Sequence, residues 1–410
     1  MADRLPRSYP RQWSVLKARK MSTPPPHSPP TTLVTNDMET LNRHLLDRRA
    51  AKRGFPPYRP ALIPEMAALL SKYFEKVLPG AHIDGVRRAG GGGSKEQFFF
   101  TITKGDGSAQ DYLMRMDPFL ALTETDRRRE FILLEAMAGH VPVPEAVWID
   151  ASGSHFPQPA AIMKVVPGVA KPSTSAAKVS GLGLWLGEEL REKLRDQFLD
   201  HLITIHSYDY RTNPLSGYEI PDADPKQAAR WTTNYWHELW RIDRVETRPI
   251  IALTEQWLID NLPDCPIENL VLTHGDYRTG NYLFDEASGE ITALLDWELA
   301  RIGDFHEDIA WVLMRLFGTW EEDTFRASDL YGREEFITEY ERRSGRTIDR
   351  ATLHFYEVLS NFKTYIICTS GLAAARLQYN HQDVLLTFLG AAIPMFAGDL
   401  VRLLAQGQPV

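Results

Sequence analysis

Between Leu272 and Trp311 three polar residues are spaced as a phosphoryl-transfer site would need them. Asp276 is followed five residues later by Asn281 and, after a short hairpin-like interval, by Asp296, which closes the apolar run Ile291 to Leu295. A phosphoryl transition state needs little covalent help, so the protein must orient an attacking hydroxyl and hold Mg²⁺ ions against phosphate oxygens. One carboxylate to accept the hydroxyl proton, an amide oxygen on one metal and a second carboxylate on the metals meet that need. Any one of these motifs alone would be an ordinary turn or helix cap. Together and in this order they point to chemistry.

The protein-kinase catalytic loop also has its Asp and Asn five apart, with the metal-binding Asp on a following segment. The fuller string HGDYRTGN, then LLDWE, then GDFHEDIAW, resembles the aminoglycoside phosphotransferase family, whose signature is HGDxxxxN followed by a [IL]DWE-type metal segment. The resemblance extends over roughly residues 83 to 400. It implies an α+β, bilobal, protein-kinase-like fold, with a small antiparallel β-sheet N-lobe and an α-rich C-lobe, that transfers the ATP γ-phosphate to small-molecule hydroxyls. It also implies Asp276 as catalytic base, His274 as loop organiser, and Asn281 and Asp296 as Mg²⁺ ligands. Phe305 stands where the family often has Pro in a GDPxxD segment, which changes the local turn.

The elements that must position these residues can be read along the chain. Met66, Leu69, Leu70, Tyr73, Phe74 and Val77 recur at helical spacing from Ala61 on, and Pro79-Gly80 closes the run. Strands are expected over Ile83 to Arg88, Phe98 to Thr103 and Asp111 to Met116, with Gly90 to Gly93 and Ser94 in the first turn. Consecutive glycines let backbone N–H groups approach a polyphosphate, although such a cluster also serves as a plain hairpin. The family's GGxSN-like loop makes Gly91, Gly92, Gly93 and Ser94 nucleotide-binding residues. Lys95 departs from that pattern and either adds charge beside the phosphates or is solvated.

A kinase needs a strand cation on the α/β-phosphates, held by a Glu from the next helix. The resemblance assigns these roles to Arg115, in Tyr112-Leu113-Met114-Arg115, and to Glu130, in the helix Arg129 to Ala138; a surface ion pair is the competing reading. Ala160 to Val166 is a short apolar strand that leads, by the same resemblance, into the adenine hinge, with Met163 to Val165 as the contact. Residues 169 to 186 read as a mobile loop. His206 ends the helix Arg191 to Tyr208 and is expected to satisfy local carbonyls. Trp231, Tyr235, Trp236, Leu239, Trp240 and Trp257 form an aromatic stripe of the kind that builds core. Asp304 and Asp308 read as helix-start caps, and residues 334 to 404 as further helices.

Composition bounds the rest. Hydrophobic residues make up 43% and charged residues 24% of the 410, an ordinary globular balance. Cys265 and Cys368 give neither metal spacing nor a disulfide framework, which suits a reducing cytoplasm. Residues 1–60 carry 12 Lys and Arg against 4 Asp and Glu, leaving 34 against 50 in the remainder, a net of −16. That acidic body argues against a nucleic-acid partner. The apolar stretch Val384 to Gly398 is too short for a bilayer and reads as a buried helix, so no membrane partner is expected.

The domain reading is a disordered basic and Pro-rich extension over 1–60, a nucleotide-binding N-lobe over 61–165, and a catalytic, acceptor-binding C-lobe over 166–410. The resemblance implies an ATP- and Mg²⁺-dependent O-phosphotransferase. HGDYR and LLDWELA resemble most the branch related to kinase-like domains attached to acyl-CoA dehydrogenases, making a hydroxyacyl-CoA one acceptor. The alternatives are an aminoglycoside or other antibiotic acceptor, and a non-catalytic kinase-shaped nucleotide-binding protein.

Overall fold

The computed structural model describes residues 37–89, 94–175, 184–380 and 382–407. Two short helices lead in, α1 (Thr40–Ala51) and α2 (Ile63–Val77), followed by strands β1 (His82–Arg88), β2 (Glu96–Thr103) and β3 (Ala109–Met116). Helix α3 (Arg127–Met137) and strands β4 (Ala146–Asp150) and β5 (Ala160–Lys164) complete the N-lobe. The five strands form one antiparallel sheet in the order β1-β2-β3-β5-β4. Four of them, β1, β2, β3 and β5, were legible as strands; β4 is the addition.

Strand periodicity explains which face is covered. Residues of β2 alternate strictly between buried and half-buried, so Phe98, Phe100 and Ile102 point to one side. There they meet Met114, and the Met66, Leu70 and Phe74 face of α2. Helix α3 starts where Asp126 accepts the Arg129 N–H at 2.9 Å, a side-chain cap that fixes the helix carrying Glu130.

The C-lobe begins with helices α4 (Glu188–His206), α5 (Gln227–Asp243) and α6 (Pro249–Asp260). Strands β6 (Leu270–Thr273), β7 (Tyr282–Phe284), β8 (Ile291–Leu294) and β9 (Arg301–Asp304) follow, then α7 (His306–Val312). The pairings β6 with β9 and β7 with β8 are both antiparallel. A small sheet, β10 (Thr319–Glu321), β11 (Thr324–Ala327) and β12 (Tyr331–Gly332), precedes α8 (Arg333–Ser344), the long α9 (Arg350–Leu377), α10 (Asp383–Gly390) and α11 (Ile393–Gln406). Helix α9 runs through the core, with Phe355, Tyr356, Phe362, Tyr365 and Ile366 buried. Of the aromatic stripe, Tyr235, Trp236 and Trp240 lie in that core.

Two expectations are corrected. The extension does not run to residue 60: α1 packs as part of the folded body. Its Arg49 is buried, donating to Asp243 at 2.8 Å and to the Ala121 carbonyl at 2.8 Å, and pairing with Glu124 at 3.2 Å. The basic run looked solvated because the carboxylates that receive Arg49 come from far along the chain. Nor is Val384 to Gly398 a buried helix. The segment breaks at Ala391 and Ala392 between α10 and α11, and Val384 and Phe388 are 87% and 67% exposed. By length and composition alone Val384–Gln406 is long and apolar enough to cross a membrane.

Candidate active site

The β-ribbons bring the three chemically suggestive residues to one place. Strand β6 releases the chain at His274 and β7 takes it back after Asn281, while β8, paired to β7, ends just before Asp296. The Leu295 N–H donates to the Asn281 carbonyl at 2.8 Å, locking the loop to the segment that bears Asp296. Asp296 itself has φ 61° and ψ 52°, a left-handed conformation that non-glycine residues adopt at a cost, as functional sites often do.

Asp276 is gripped on both carboxylate oxygens. Its Oδ1 accepts from Trp311 Nε1 at 2.8 Å and from Arg278 Nε at 3.0 Å, and its Oδ2 accepts from Asn281 Nδ2 at 2.6 Å. Asn281 Nδ2 also donates to the Asp276 carbonyl at 2.9 Å. Since both amide hydrogens of Asn281 go to Asp276, its oxygen is the group left for a cation. His274 is fully buried and accepts the Asp276 N–H on Nδ1 at 3.2 Å. Burial holds this imidazole below its ordinary pKa and hence neutral.

Asp308, which the sequence offered as a cap, lies under the loop instead. Its two oxygens accept the backbone N–H groups of His274 at 2.7 Å and Gly275 at 2.8 Å. His206 is corrected likewise: its ring does not serve local carbonyls but donates from Nε2 to Asp308 at 3.1 Å, with Nδ1 against the Tyr340 hydroxyl at 2.8 Å. Asp304 does cap, accepting the His306 N–H at 3.0 Å. Gly275 has φ +79°, and a Cβ there would lie 2.5 Å from the Leu299 carbonyl oxygen, so glycine is required on two counts.

On the sheet side Arg115 and Glu130 meet at 3.1 Å, both buried, so the surface-pair reading fails. Arg115 also hydrogen-bonds Asp296, tying strand β3 to the loop of the other lobe. Lys95 is neither solvated nor free beside the loop. Fully buried, it pairs with Glu298 at 2.9 Å and Asp117 at 3.4 Å and donates to Thr125 Oγ1 at 3.1 Å. Arg127, also buried, pairs with Asp117 at 3.0 Å, with Glu298 at 3.5 Å and with Glu130. The Glu of the LLDWE motif is thus held by two cations from the N-lobe.

Gly91, Gly92 and Gly93 lie outside the described residues; Ser94 directly precedes Lys95 and is half-buried. Met163 sits mid-ladder between Leu113 of β3 and Ala146 of β4, and the Val165 N–H is donated to the Asp111 carbonyl at 3.0 Å. The Val165 N–H is therefore spent inside the sheet, and the first peptide N–H beyond the ladder is that of Val166. Among the described residues, no group of three or more His, Cys, Asp or Glu is arranged to hold a metal. Trp311 and Lys363 are the functional neighbours that sequence reasoning missed. Lys363, from α9, donates to the Gly275 carbonyl at 2.5 Å.

The chain has known counterparts in sequence and fold. Residues 85–346 match the model of the phosphotransferase enzyme family. Acyl-CoA dehydrogenase family member 11 of Gallus gallus is 27% identical over 327 residues, 72% of this chain and 38% of the relative. Acyl-CoA dehydrogenase family member 10 of Mus musculus is 30% identical over 185 residues, 45% of this chain and 16% of the relative. The chain therefore spans well under half the length of these curated relatives. Among solved structures, a Ralstonia eutropha protein described as an aminoglycoside phosphotransferase superposes with TM-score 0.60 at 20% identity, covering 83% of this chain and 99% of its own. A mutant of aminoglycoside phosphotransferase APH(4)-Ia, in complex with AMP-PNP and hygromycin B, gives TM-score 0.51 at 15% identity, over 83% and 99%. These likenesses establish the bilobal kinase-like α+β fold. With the family model spanning well over half its length, the chain belongs to the phosphotransferase enzyme family.

Proposed function

We propose that the protein catalyses ATP- and Mg²⁺-dependent O-phosphorylation of a small-molecule hydroxyl, with Asp276 as the base. The observation that carries the reading is the hydrogen-bonding of Asp276. Among the described residues, Oδ1 receives two donors, Trp311 and Arg278, whereas Oδ2 receives Asn281 alone. A carboxylate oxygen has two lone pairs, so Oδ2 keeps one for the acceptor hydroxyl. As that hydroxyl oxygen attacks phosphorus, its proton passes to Oδ2, while the electron pair of the breaking P–O bond stays on the nucleoside diphosphate.

Asn281 and Asp296 would hold Mg²⁺. An amide oxygen and a carboxylate are hard ligands, and Mg²⁺ commonly takes one or two carboxylates plus substrate phosphates rather than an all-protein cage. When bound, the ion would neutralise charge on the phosphate oxygens. Asp296 lies against Arg115 and Arg115 against Glu130, so a triphosphate with its Mg²⁺ would engage Asp296 and Arg115 together. The backbone of Ser94 would add to the phosphate contacts, and the Val166 N–H would meet the adenine.

A hydroxyacyl-CoA is the acceptor we favour. Two observations support it: the sequence relatives are named for acyl-CoA dehydrogenases, and the cationic Arg278 is hydrogen-bonded to the base, where a polycationic aminoglycoside would be repelled. The test is ADP release with ATP and Mg²⁺, screened over 3- and 4-hydroxyacyl-CoAs, aminoglycosides, choline and homoserine. A thioester hit abolished by Asp276→Asn is the expected result. An aminoglycoside hit would overturn the acceptor, and ATP binding with no turnover across the panel would favour a non-catalytic protein.

A further inference from the structure

We infer that Lys363 is a positioning residue for the catalytic base, clamping both the peptide group and the indole through which Asp276 is oriented. The inference rests on the phosphotransferase reading above. The Gly275 carbonyl and the Asp276 N–H belong to one peptide unit, which is planar. Lys363 Nζ holds its oxygen at 2.5 Å and His274 Nδ1 holds its N–H at 3.2 Å. A plane held at both edges cannot rock, so the direction in which the Asp276 side chain leaves its Cα is set.

The same ammonium lies 3.7 Å from the centroid of the Trp311 ring, within cation–π range. Trp311 in turn donates to Asp276 Oδ1 at 2.8 Å. Lys363 therefore acts on the base by two routes, backbone and carboxylate, without touching the carboxylate itself.

The placement has a cost that packing alone does not explain. Lys363 is buried in a helix whose neighbouring turns bury Phe362, Tyr365 and Ile366, where an apolar residue would pack as well. Its burial pulls the ammonium below the ordinary lysine range, against which Glu307, Asp276 and Asp308 favour the charge and Arg301 opposes it. What the site requires of a lysine is the donor to Gly275 and the charge under Trp311.

The experiment compares full-length wild type with Lys363→Met, Lys363→Arg, Trp311→Phe and the Lys363→Met/Trp311→Phe double variant. In Lys363→Met kcat should fall roughly 100-fold, the scale of a displaced reacting group, while KM for ATP changes by about twofold or less. Lys363→Arg should restore kcat to within about tenfold of wild type, since it keeps the charge and the donors. The double variant should be no slower than its slower parent by more than about threefold, the signature of groups acting as one. Hydrogen exchange without nucleotide should speed up over residues 274–277 in Lys363→Met and stay unchanged in β2 and β3.

A folded Lys363→Met with kcat within about threefold of wild type would overturn the inference. So would a loss accompanied by equal losses in ATP affinity and melting temperature that Lys363→Arg does not repair. Should Lys363→Met fail to fold, Trp311→Phe is measured in wild-type and Lys363→Gln backgrounds, the second lacking the cation: equal losses overturn the clamp, unequal ones support it. Absence of Asp276-dependent turnover in the wild type would instead overturn the phosphotransferase reading, and the clamp with it.

Discussion

Asp308 and His274 stand 34 residues apart in sequence and are joined by a 2.7 Å hydrogen bond from the His274 N–H to a fully buried carboxylate. The other oxygen of Asp308 takes the Gly275 N–H, and His206 donates to the oxygen that His274 already holds. Burial alone would raise the Asp308 pKa, but these donors outweigh it and hold the carboxyl below the ordinary range. Asp308 is thus an anion serving as the floor of the loop.

Removing that floor should damage stability and turnover together. Asp308→Ala leaves two backbone N–H groups and the His206 ring without their acceptor in the interior, and breaking such a buried set costs roughly 3–5 kcal/mol. Urea unfolding should show this loss, with kcat falling alongside it. A variant within about 1 kcal/mol of wild type would mean that the loop is held by its other contacts.

Gly275 offers a controlled comparison with Gly107. Both have positive φ, +79° and +83°, but an added Cβ meets the Leu299 carbonyl at 2.5 Å at Gly275 and nothing within 4 Å at Gly107. Gly107→Ala should therefore cost only the left-handed strain, about 1–2 kcal/mol. Gly275→Ala should cost a further ~1–3 kcal/mol for overpacking and lower kcat, because the clash lies next to Asp276. Equal melting-temperature losses in the two variants would show that Leu299 yields.

Lys95 separates an anchor from a phosphate ligand. Paired with Glu298 and Asp117, it should be needed for the fold: Lys95→Met leaves those carboxylates to Arg127 alone, and uncompensated buried charge costs about 3–5 kcal/mol. A surface lysine beside the phosphates would behave differently, with about 0.5 kcal/mol or less of stability at stake and a large rise in KM for ATP. Unfolding and ATP titration on the same variant decide between the two.

How much was legible in the sequence follows from how local each feature is. Asp276, Asn281 and Asp296 could be singled out because they fall within one short stretch of chain. Arg115 and Glu130 were named through the family resemblance, and the structure brings them to 3.1 Å. Asp308 stood in the quoted motif, but whether it caps α7 or turns under the loop depends on how β6 pairs with β9. Lys363 gave no signal, since a lone Lys in an apolar helix looks like noise until α9 is docked, and Trp311 closed the quoted motif with nothing to show that its indole would meet Asp276. Arg49 was misread for the same reason: its partners Glu124 and Asp243 lie 75 and 194 residues away.

Acid should destabilise this fold well before the carboxylates titrate. Burial lowers the pKa values of His201, His206, His274 and His354, and brings His237 down to about 4. In the unfolded chain each returns to about 6.5, so below that pH the unfolded state binds more protons and stability falls as pH falls. Glu255 works in the other direction. Pushed up to about 7 by burial, it contributes stability at low pH that is lost as pH rises toward 7. Five imidazoles outweigh one carboxyl, so the melting temperature at pH 5 should lie below that at pH 7.5. Glu255 lies 3.3 Å from His237, so these two titrate as a pair, whereas His201→Gln should flatten the difference by removing one of the other imidazoles. A melting temperature that holds level or rises on going to pH 5 would mean that these imidazoles are charged in the folded protein.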